Sequence, residues 1–326
     1  MKRFFCFLFY IVFCSFSMLS GNDNLNDNNT FGYIAYSSTN IGDDIQAVAA
    51  ARFLPKNSVP IDREFISQFN YPVTISTIVN GWFMHTKNVC WQRSDVPPPI
   101  KSWPPTSCID PLLISIYLDN AFWPEVFSEE GVEYLKKHSP VGTRDYQTLR
   151  ELQKRNIPSY FSGCLTLTLD NPYKDQKRNN VIYAVDVDDE CIEFIKAHTK
   201  CRVIKIGHGV NPSISLNPEL RLKYAKLLLD KYRKAKCIVT ARLHAAMPCL
   251  AFETPVLLVM GKKYYNGRLD GLRELVHECS KDELLQGLAE FDFNNPPENS
   301  KAYLPIRENL IKTTEAWVES HLNNGN

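Results

Sequence analysis

Apolar and polar positions along this chain fall into two periods. Short apolar runs have the length of strands, and longer stretches have helical spacing. Gly32-Tyr-Ile-Ala-Tyr36 reads as a first strand, Ser37 to Asp44 as a polar loop and Ile45 to Phe53 as a helix. Pro72 to Val79 is a second strand ending in Asn80-Gly-Trp82, and Leu112 to Leu118 is a third. Ser128 to His138 and Tyr146 to Arg155 have helical spacing, with Pro140 to Asp145 between them as strand end and loop. Ser159 to Leu169 reads as a strand interrupted at Ser162-Gly163. The alternation then restarts. Strands are expected at Val181–Asp186, Arg202–Gly207, Cys237–Val239 and Pro255–Met260. Helices are expected at Asp189–His198, Asn217–Ala235 and Ile306–Leu322, and a further one follows Arg242-Leu-His244, with Pro248 in its first turn. In the helix over Asn217–Ala235, Leu220, Tyr224, Leu227 and Leu228 share one face, the expected core face.

Alternation of this kind in both halves predicts an α/β protein, built as two doubly wound Rossmann-like domains facing each other across a cleft. The polar, Pro-containing stretch Asp170–Asn180 marks the division between them. The expected organisation is an N-terminal segment over 1–30, domains over 31–175 and 176–303, and a closing helix and tail over 304–326.

The start of the chain changes this picture. Lys2 and Arg3 precede an apolar run from Phe4 to Leu19 of about 16 residues, followed by an Asn/Asp-rich stretch. This is the pattern of a signal peptide or signal anchor, so export or membrane association through residues 4–19 is expected. An uncleaved anchor would leave Lys2 and Arg3 on the cytosolic side. Elsewhere the 326 residues are 44% hydrophobic and 22% charged, as in globular domains, and the formal net charge of +1 argues against a nucleic-acid partner. No Cys-x-x-Cys pair occurs and the seven histidines are scattered, so no metal site is expected. No organic cofactor is expected either. Cys90 and Cys108 flank a Trp/Pro-rich loop and could pair in an oxidising compartment.

The chemistry concentrates where strands hand over to helices. Thr240-Ala-Arg-Leu-His244 puts a permanent cation and a titratable imidazole beside the N–H groups of a helix start, which suits an anion with a proton donor attached. Arg242 has a plainer reading as an exposed ion pair. Asp43 and Asp44 stand at the head of a helix, where an acid is either a cap or a proton acceptor. Ser162-Gly163 marks a bulge or a close approach to a ligand. His208, between Gly207 and Gly209, is a secondary candidate on a loop open to solvent. Trp82, Trp91 and Trp103 have two readings, stacking on sugar rings or packing in the Pro-rich loop. Lys262 and Lys263 belong to a solvated basic loop beside Arg268.

Asn40-Ile-Gly-Asp-Asp44, Gly142-Thr-Arg-Asp145, Ser162-Gly-Cys-Leu-Thr166, Arg242-Leu-His244 and Gly267-Arg-Leu-Asp-Gly271 occur in an order and spacing that resembles the polysaccharide pyruvyl transferase family. The resemblance runs from Phe31 to His277. It implies a fold like that of GT-B glycosyltransferases, with the acceptor on the N-terminal side and the donor on the C-terminal side. It implies transfer of the enolpyruvyl group of phosphoenolpyruvate to two hydroxyls of a sugar in glycan or exopolysaccharide biosynthesis. His244 then falls on the general acid, with Asp43 or Asp44 as the acidic residue. Arg144 and Arg242 form a donor clamp across the cleft, where Arg holds carboxylate and phosphate better than Lys. Ser162, Gly163 and Arg268 are expected on the donor side, and Asn40 and Trp82 at the acceptor. Asn80-Gly-Trp82 and Ser115-Ile-Tyr117 depart from the family pattern, which bears on acceptor recognition. Two other readings fit the same architecture: a GT-B-type nucleotide-sugar glycosyltransferase, and a non-catalytic exported glycan-binding protein.

Overall fold

The computed structural model describes residues 30–84, 101–210, 217–261 and 267–323. The targeting segment at residues 4–19, Trp91, Lys262, Lys263 and the Cys90 end of the proposed disulfide lie outside the described residues.

The first sheet comprises β1 (Thr30–Ala35), β2 (Val59–Asp62), β3 (Ile75–Phe83), β4 (Ile109–Leu118), β5 (Val141–Thr143) and β6 (Ser159–Phe161). Helix α1 (Ile41–Ala51) follows β1. Helices α2 (Trp123–Val126) and α3 (Glu129–Lys137) follow β4, and α4 (Tyr146–Gln153) follows β5. The second sheet comprises β7 (Val181–Val185), β8 (Arg202–Ile206), β9 (Cys237–Thr240), β10 (Val256–Met260) and β11 (His277–Ser280). Its helices are α5 (Asp189–Ala197), α6 (Pro218–Lys234), α7 (Leu243–Ala251) and α8 (Lys281–Leu285), and α9 (Leu304–Asn323) closes the chain.

Every strand pairing in both sheets is parallel. The first sheet has the order β2-β1-β3-β4-β5-β6 and the second β11-β10-β9-β7-β8. Counted from its own first strand, each sheet has the order 2-1-3-4-5, the first adding a sixth strand at its end, and in such sheets ligands sit where the order reverses. The reversals lie between β1 and β3 and between β7 and β9. The doubly wound α/β expectation holds, and the two sheets repeat one topology although their sequences show no repeat.

Several elements differ from the sequence reading. The first helix begins at Ile41, because Asn40 accepts the Gly42 N–H at 3.0 Å and caps it, so Asp43 and Asp44 lie inside its first turn. Asn80-Gly-Trp82 is part of β3, which shifts register against β4 at this point. Only Ser159–Phe161 of the Ser159–Leu169 run is strand, and Leu165–Thr168 forms a 3₁₀ turn. The short strands β2, a sheet edge that tolerates Pro60, and β11 carry little periodicity and were not foreseen. In α6 the expected core face is largely reversed: Leu220, Tyr224 and Leu227 are exposed and only Leu228 packs, half-buried, against the core, while Arg221, Ala225, Leu229 and Tyr232 are buried.

The reversal has an electrostatic cause. Arg221 is fully buried and grips Asp44 of α1 through Nε–Oδ1 (2.9 Å) and Nη2–Oδ2 (2.6 Å), and it also donates to the Ser38 carbonyl at 2.6 Å. Around this pair α1 is buried on all sides, between β3 and helices α6 and α7, and one apolar core runs through both sheets. Helix α9 returns to the first sheet. Its Ile306 takes the space where a Cβ on Gly163 would sit 2.4 Å away, Trp317 meets Phe31 edge-on, and Arg307 donates to carbonyls of Leu167, Leu169 and Ala251.

Arg221→Ala strands the Asp44 carboxylate in this core and is expected to cost about 3–5 kcal/mol of stability. Arg221→Met with Asp44→Leu should recover most of that loss, and urea unfolding of the two variants checks it.

Candidate active site

The two reversal points face each other. The loop after β1 and the loop after β8 are joined by backbone: Ile41 N–H donates to the His208 carbonyl at 2.7 Å and Val210 N–H to the Thr39 carbonyl at 2.8 Å. Gly42 allows this approach, since a Cβ there would lie 2.5 Å from Nδ1 of His208. His208 is 1% exposed and its Nε2 lies 2.8 Å from the Tyr232 hydroxyl, so it is a packed interior residue and not a solvent-facing loop histidine. Burial pushes it down to about 4.

Arg144 follows β5, its backbone N–H bonded to the Ile116 carbonyl, and its side chain is fully buried. Nη1 is 3.2 Å from Gln46 Oε1 and 3.2 Å from His244 Nε2, and the guanidinium lies 5.3 Å from the Tyr117 ring centre. Arginine only donates, so His244 accepts through Nε2 and carries its ring proton on Nδ1. Nε and Nη2 of Arg144 are buried without a hydrogen-bond partner. A buried cation with two unused donors is costly unless an acceptor comes to it.

His244 sits in the first turn of α7. Pro248 lies inside that helix rather than in its first turn, so the His244 carbonyl receives no N–H four residues on. Burial pushes the imidazole well below its ordinary value, and Arg144, Arg268, His208 and Arg242 push it the same way. Arg242 stands at the N-cap position of α7 without capping it through its side chain, which is half-exposed and pairs through Nε with Asp186 Oδ2 at 2.8 Å. The ion-pair reading of Arg242 thus describes its Nε, while the side chain remains at the mouth of the site, 40% exposed.

Arg268 reaches across to the first sheet and lies 3.7 Å over the Trp82 ring, which in turn lies 6.0 Å from Tyr117. The flanking glycines make this contact possible. Both have left-handed backbone, and a Cβ would lie 3.0 Å from Gln147 Oε1 at Gly267 and 2.8 Å from Tyr146 and Phe161 at Gly271. The loop over residues 267–271 thereby rests on the start of α4.

Other expected residues have internal duties. Asp43 accepts from Ser38 Oγ at 3.0 Å and Asn40 Nδ2 at 3.4 Å and lies 3.7 Å from Arg63; both oxygens of Asp44 are held by Arg221. Ser162 Oγ accepts from the Ser115 N–H and donates to the Thr143 carbonyl, and Gly163 makes room for α9. Asn40 caps α1. Trp103 packs edge-on against Phe83, Phe122 and Tyr134, which settles it as core. Gln46 and Gln147 were not singled out, and Tyr117 and Asp145 were given no role. Both of these carried a signal, Tyr117 in the departure Ser115-Ile-Tyr117 and Asp145 in the Gly142-Thr-Arg-Asp145 motif beside Arg144. Among the described residues no group of three His, Cys, Asp or Glu is placed to hold a metal ion.

The fold and the site define an α/β protein with buried cations and a buried imidazole between two parallel sheets. The family model for polysaccharide pyruvyl transferase matches residues 40–261, and this chain belongs to the polysaccharide pyruvyl transferase family. No curated protein matches the sequence. Among solved structures, a functionally uncharacterized protein of Klebsiella pneumoniae is similar at 13% identity and TM-score 0.45, over 74% of this chain and 87% of that one. Staphylococcus aureus MnaA, in its structure with UDP, is similar at 10% identity and TM-score 0.42, over 89% of this chain and 97% of that one.

A multiply charged anion bound among these arginines would offset the cations that depress His244 and raise its pKa. Binding should then take up a proton, and affinity should fall as pH rises through the bound-state value. Sulfate, which does not titrate between about pH 5 and 8, tests this by calorimetry in buffers of different ionisation enthalpy. Proton uptake is expected in the parent protein and absent in His244→Gln; equal uptake in both would assign the proton elsewhere.

Proposed function

We propose that this chain transfers the enolpyruvyl group of phosphoenolpyruvate to two hydroxyls of a sugar, giving a cyclic ketal and inorganic phosphate. The observation that carries this reading is the contact between Arg144 and His244, a buried cation with unused donors held against a buried imidazole.

Phosphoenolpyruvate carries a carboxylate and a phosphate on one small frame. The two unused donors of Arg144 suit one of these groups, and Arg242 and Arg268 approach from the second sheet to hold the other. As the donor's oxygens draw the guanidinium of Arg144, Nε2 of His244 is released and takes a proton. His244 passes that proton to the methylene carbon, which becomes a methyl group, and the central carbon becomes oxocarbenium-like. One sugar hydroxyl adds there. The bond to the phosphate oxygen then breaks and a second hydroxyl closes the ring. Of the two hydroxyl protons, one replaces the proton His244 gave to carbon and the other leaves with phosphate, so the reaction balances without an oxidant or reductant.

Glycans from cells with and without this protein should differ by pyruvate added with loss of water. His244→Gln should lower kcat about 10²–10⁴-fold with phosphoenolpyruvate binding retained. Arg144→Ala should instead weaken that binding about 10–100-fold, the worth of a charge-assisted hydrogen bond. Label entering glycans from nucleotide sugars and not from phosphoenolpyruvate would overturn the proposal in favour of glycosyl transfer.

A further inference from the structure

The reaction proposed above needs a group to take the proton from the incoming hydroxyl, and neither Asp43 nor Asp44 has an oxygen placed for it. Both Asp44 oxygens are held by Arg221, and Asp43 is engaged by Ser38 and Asn40. A third carboxylate of the site differs. Asp145 is fully buried, next to Arg144 in sequence, and caps α4 with one oxygen only, accepting the Thr148 N–H on Oδ1 at 2.7 Å. Its Oδ2 is buried and without a hydrogen-bond partner.

The groups around that carboxylate lead from one to the next. Asp145 acts electrostatically on the Tyr117 hydroxyl, and the Tyr117 ring lies 6.0 Å from Trp82. Arg268 covers Trp82 at 3.7 Å, and the neighbouring Gly267 comes within 3.0 Å of Gln147 Oε1 when a Cβ is placed on it. Gln147 returns the ring to Asp145, which stands two residues before it as the cap of α4. Two more polar atoms in this ring are buried without partners, Trp82 Nε1 and Gln147 Oε1. Trp82, Gln147 and Arg268 are half-buried and form the rim, while Asp145 and Tyr117 form the floor. With Arg268 turned to the donor, the rest of the ring offers two acceptors, Asp145 Oδ2 and Gln147 Oε1, and one unused donor, Trp82 Nε1, and is poorly matched to an anion. A sugar diol, whose hydroxyls both donate and accept, matches it, and the indole face suits a pyranose.

We propose, resting on the function proposed above, that this ring is the acceptor subsite and that Asp145 is the base that receives the hydroxyl proton on Oδ2. In that step the O–H bond breaks, its electron pair forms the new C–O bond at the central carbon of the donor, and the proton moves to Oδ2, which passes it to the departing phosphate and is restored as carboxylate. The charged and titratable groups acting on Asp145 are Arg144 after β5 and Tyr117 on β4, and Thr148 of α4 supplies an N–H donor. Burial raises Asp145 to about 6 against the pull of Thr148 and Arg144, which leaves it ionised yet basic at neutral pH.

Asp145→Asn keeps an oxygen for the Thr148 N–H, so α4 should remain capped and the protein folded. With labelled phosphoenolpyruvate and a panel of p-nitrophenyl hexosides and N-acetylhexosaminides, the variant should turn over at least about 100-fold more slowly, with phosphoenolpyruvate affinity unchanged. The acid limb of the parent's kcat/KM profile, near pH 6, should disappear. Parent-like turnover in Asp145→Asn, or loss of donor affinity to match the loss of rate, overturns the assignment. A second measurement does not depend on turnover. The carboxyl carbon resonance of Asp145, identified by its absence in Asp145→Asn, should shift when a glycoside of the panel is added and stay in place with sulfate. A resonance that no glycoside moves overturns the subsite even if pyruvyl transfer is observed. A parent protein that transfers no label overturns the donor reading, and the resonance alone then decides on Asp145.

Discussion

The buried pair between Asp44 and Arg221 is the interaction on which the rest of the arrangement depends. It joins a helix of the first sheet to a helix of the second and takes up both carboxylate oxygens. With Arg221 also bonded to the Ser38 carbonyl, the loop after β1 is fixed against α6. The backbone bonds from Ile41 and Val210 then bring His208 and its strand into register with that loop. Each parallel sheet alone would offer only half of a ligand crevice. Held together, they place Arg144 from one within 3.2 Å of His244 from the other. Such a pair confers little net stability over an apolar substitute, but removing one member is severe, and its value here is geometric.

Much of the fold was legible because strands buried on both faces are written as apolar runs, and Ile182–Val185, Cys237–Thr240 and Val256–Met260 are plain examples. Edge elements such as Val59–Asp62 were not legible, since four residues with a proline carry no period. Helix α6 misled for a different reason. Periodicity assumes that charged residues face water, yet Arg221 and Tyr232 face inward because each finds a distant partner, Asp44 and His208. Neither partner lies in the same helix, and Asp44 stands 177 residues away, so periodicity within α6 carries no trace of them.

The site was legible in part by the same logic. Arg144, Arg242, His244 and Arg268 stand at strand ends or in a glycine-flanked loop, positions where sequence marks function, and the structure brings all four to one region. Which acid is available and which is tied down was invisible, because Asp43, Asp44 and Asp145 all stand at helix starts. Only the partners distinguish them. Gln46 and Tyr117 look like ordinary residues of an apolar helix and strand until Arg144 is seen resting against both.

The repeated strand order has one more consequence, carried by the peptide backbone. Helices α1 and α7 both begin at the reversal points, so the positive ends of their dipoles, each roughly half a unit charge, lie on the two sides of the site. The end of α1 is offset by Asp43 and Asp44 in its own first turn, whereas α7 has no acidic residue there. The attraction for an anion is therefore lopsided, stronger on the side of His244, and part of it comes from main-chain N–H groups that no side-chain substitution removes.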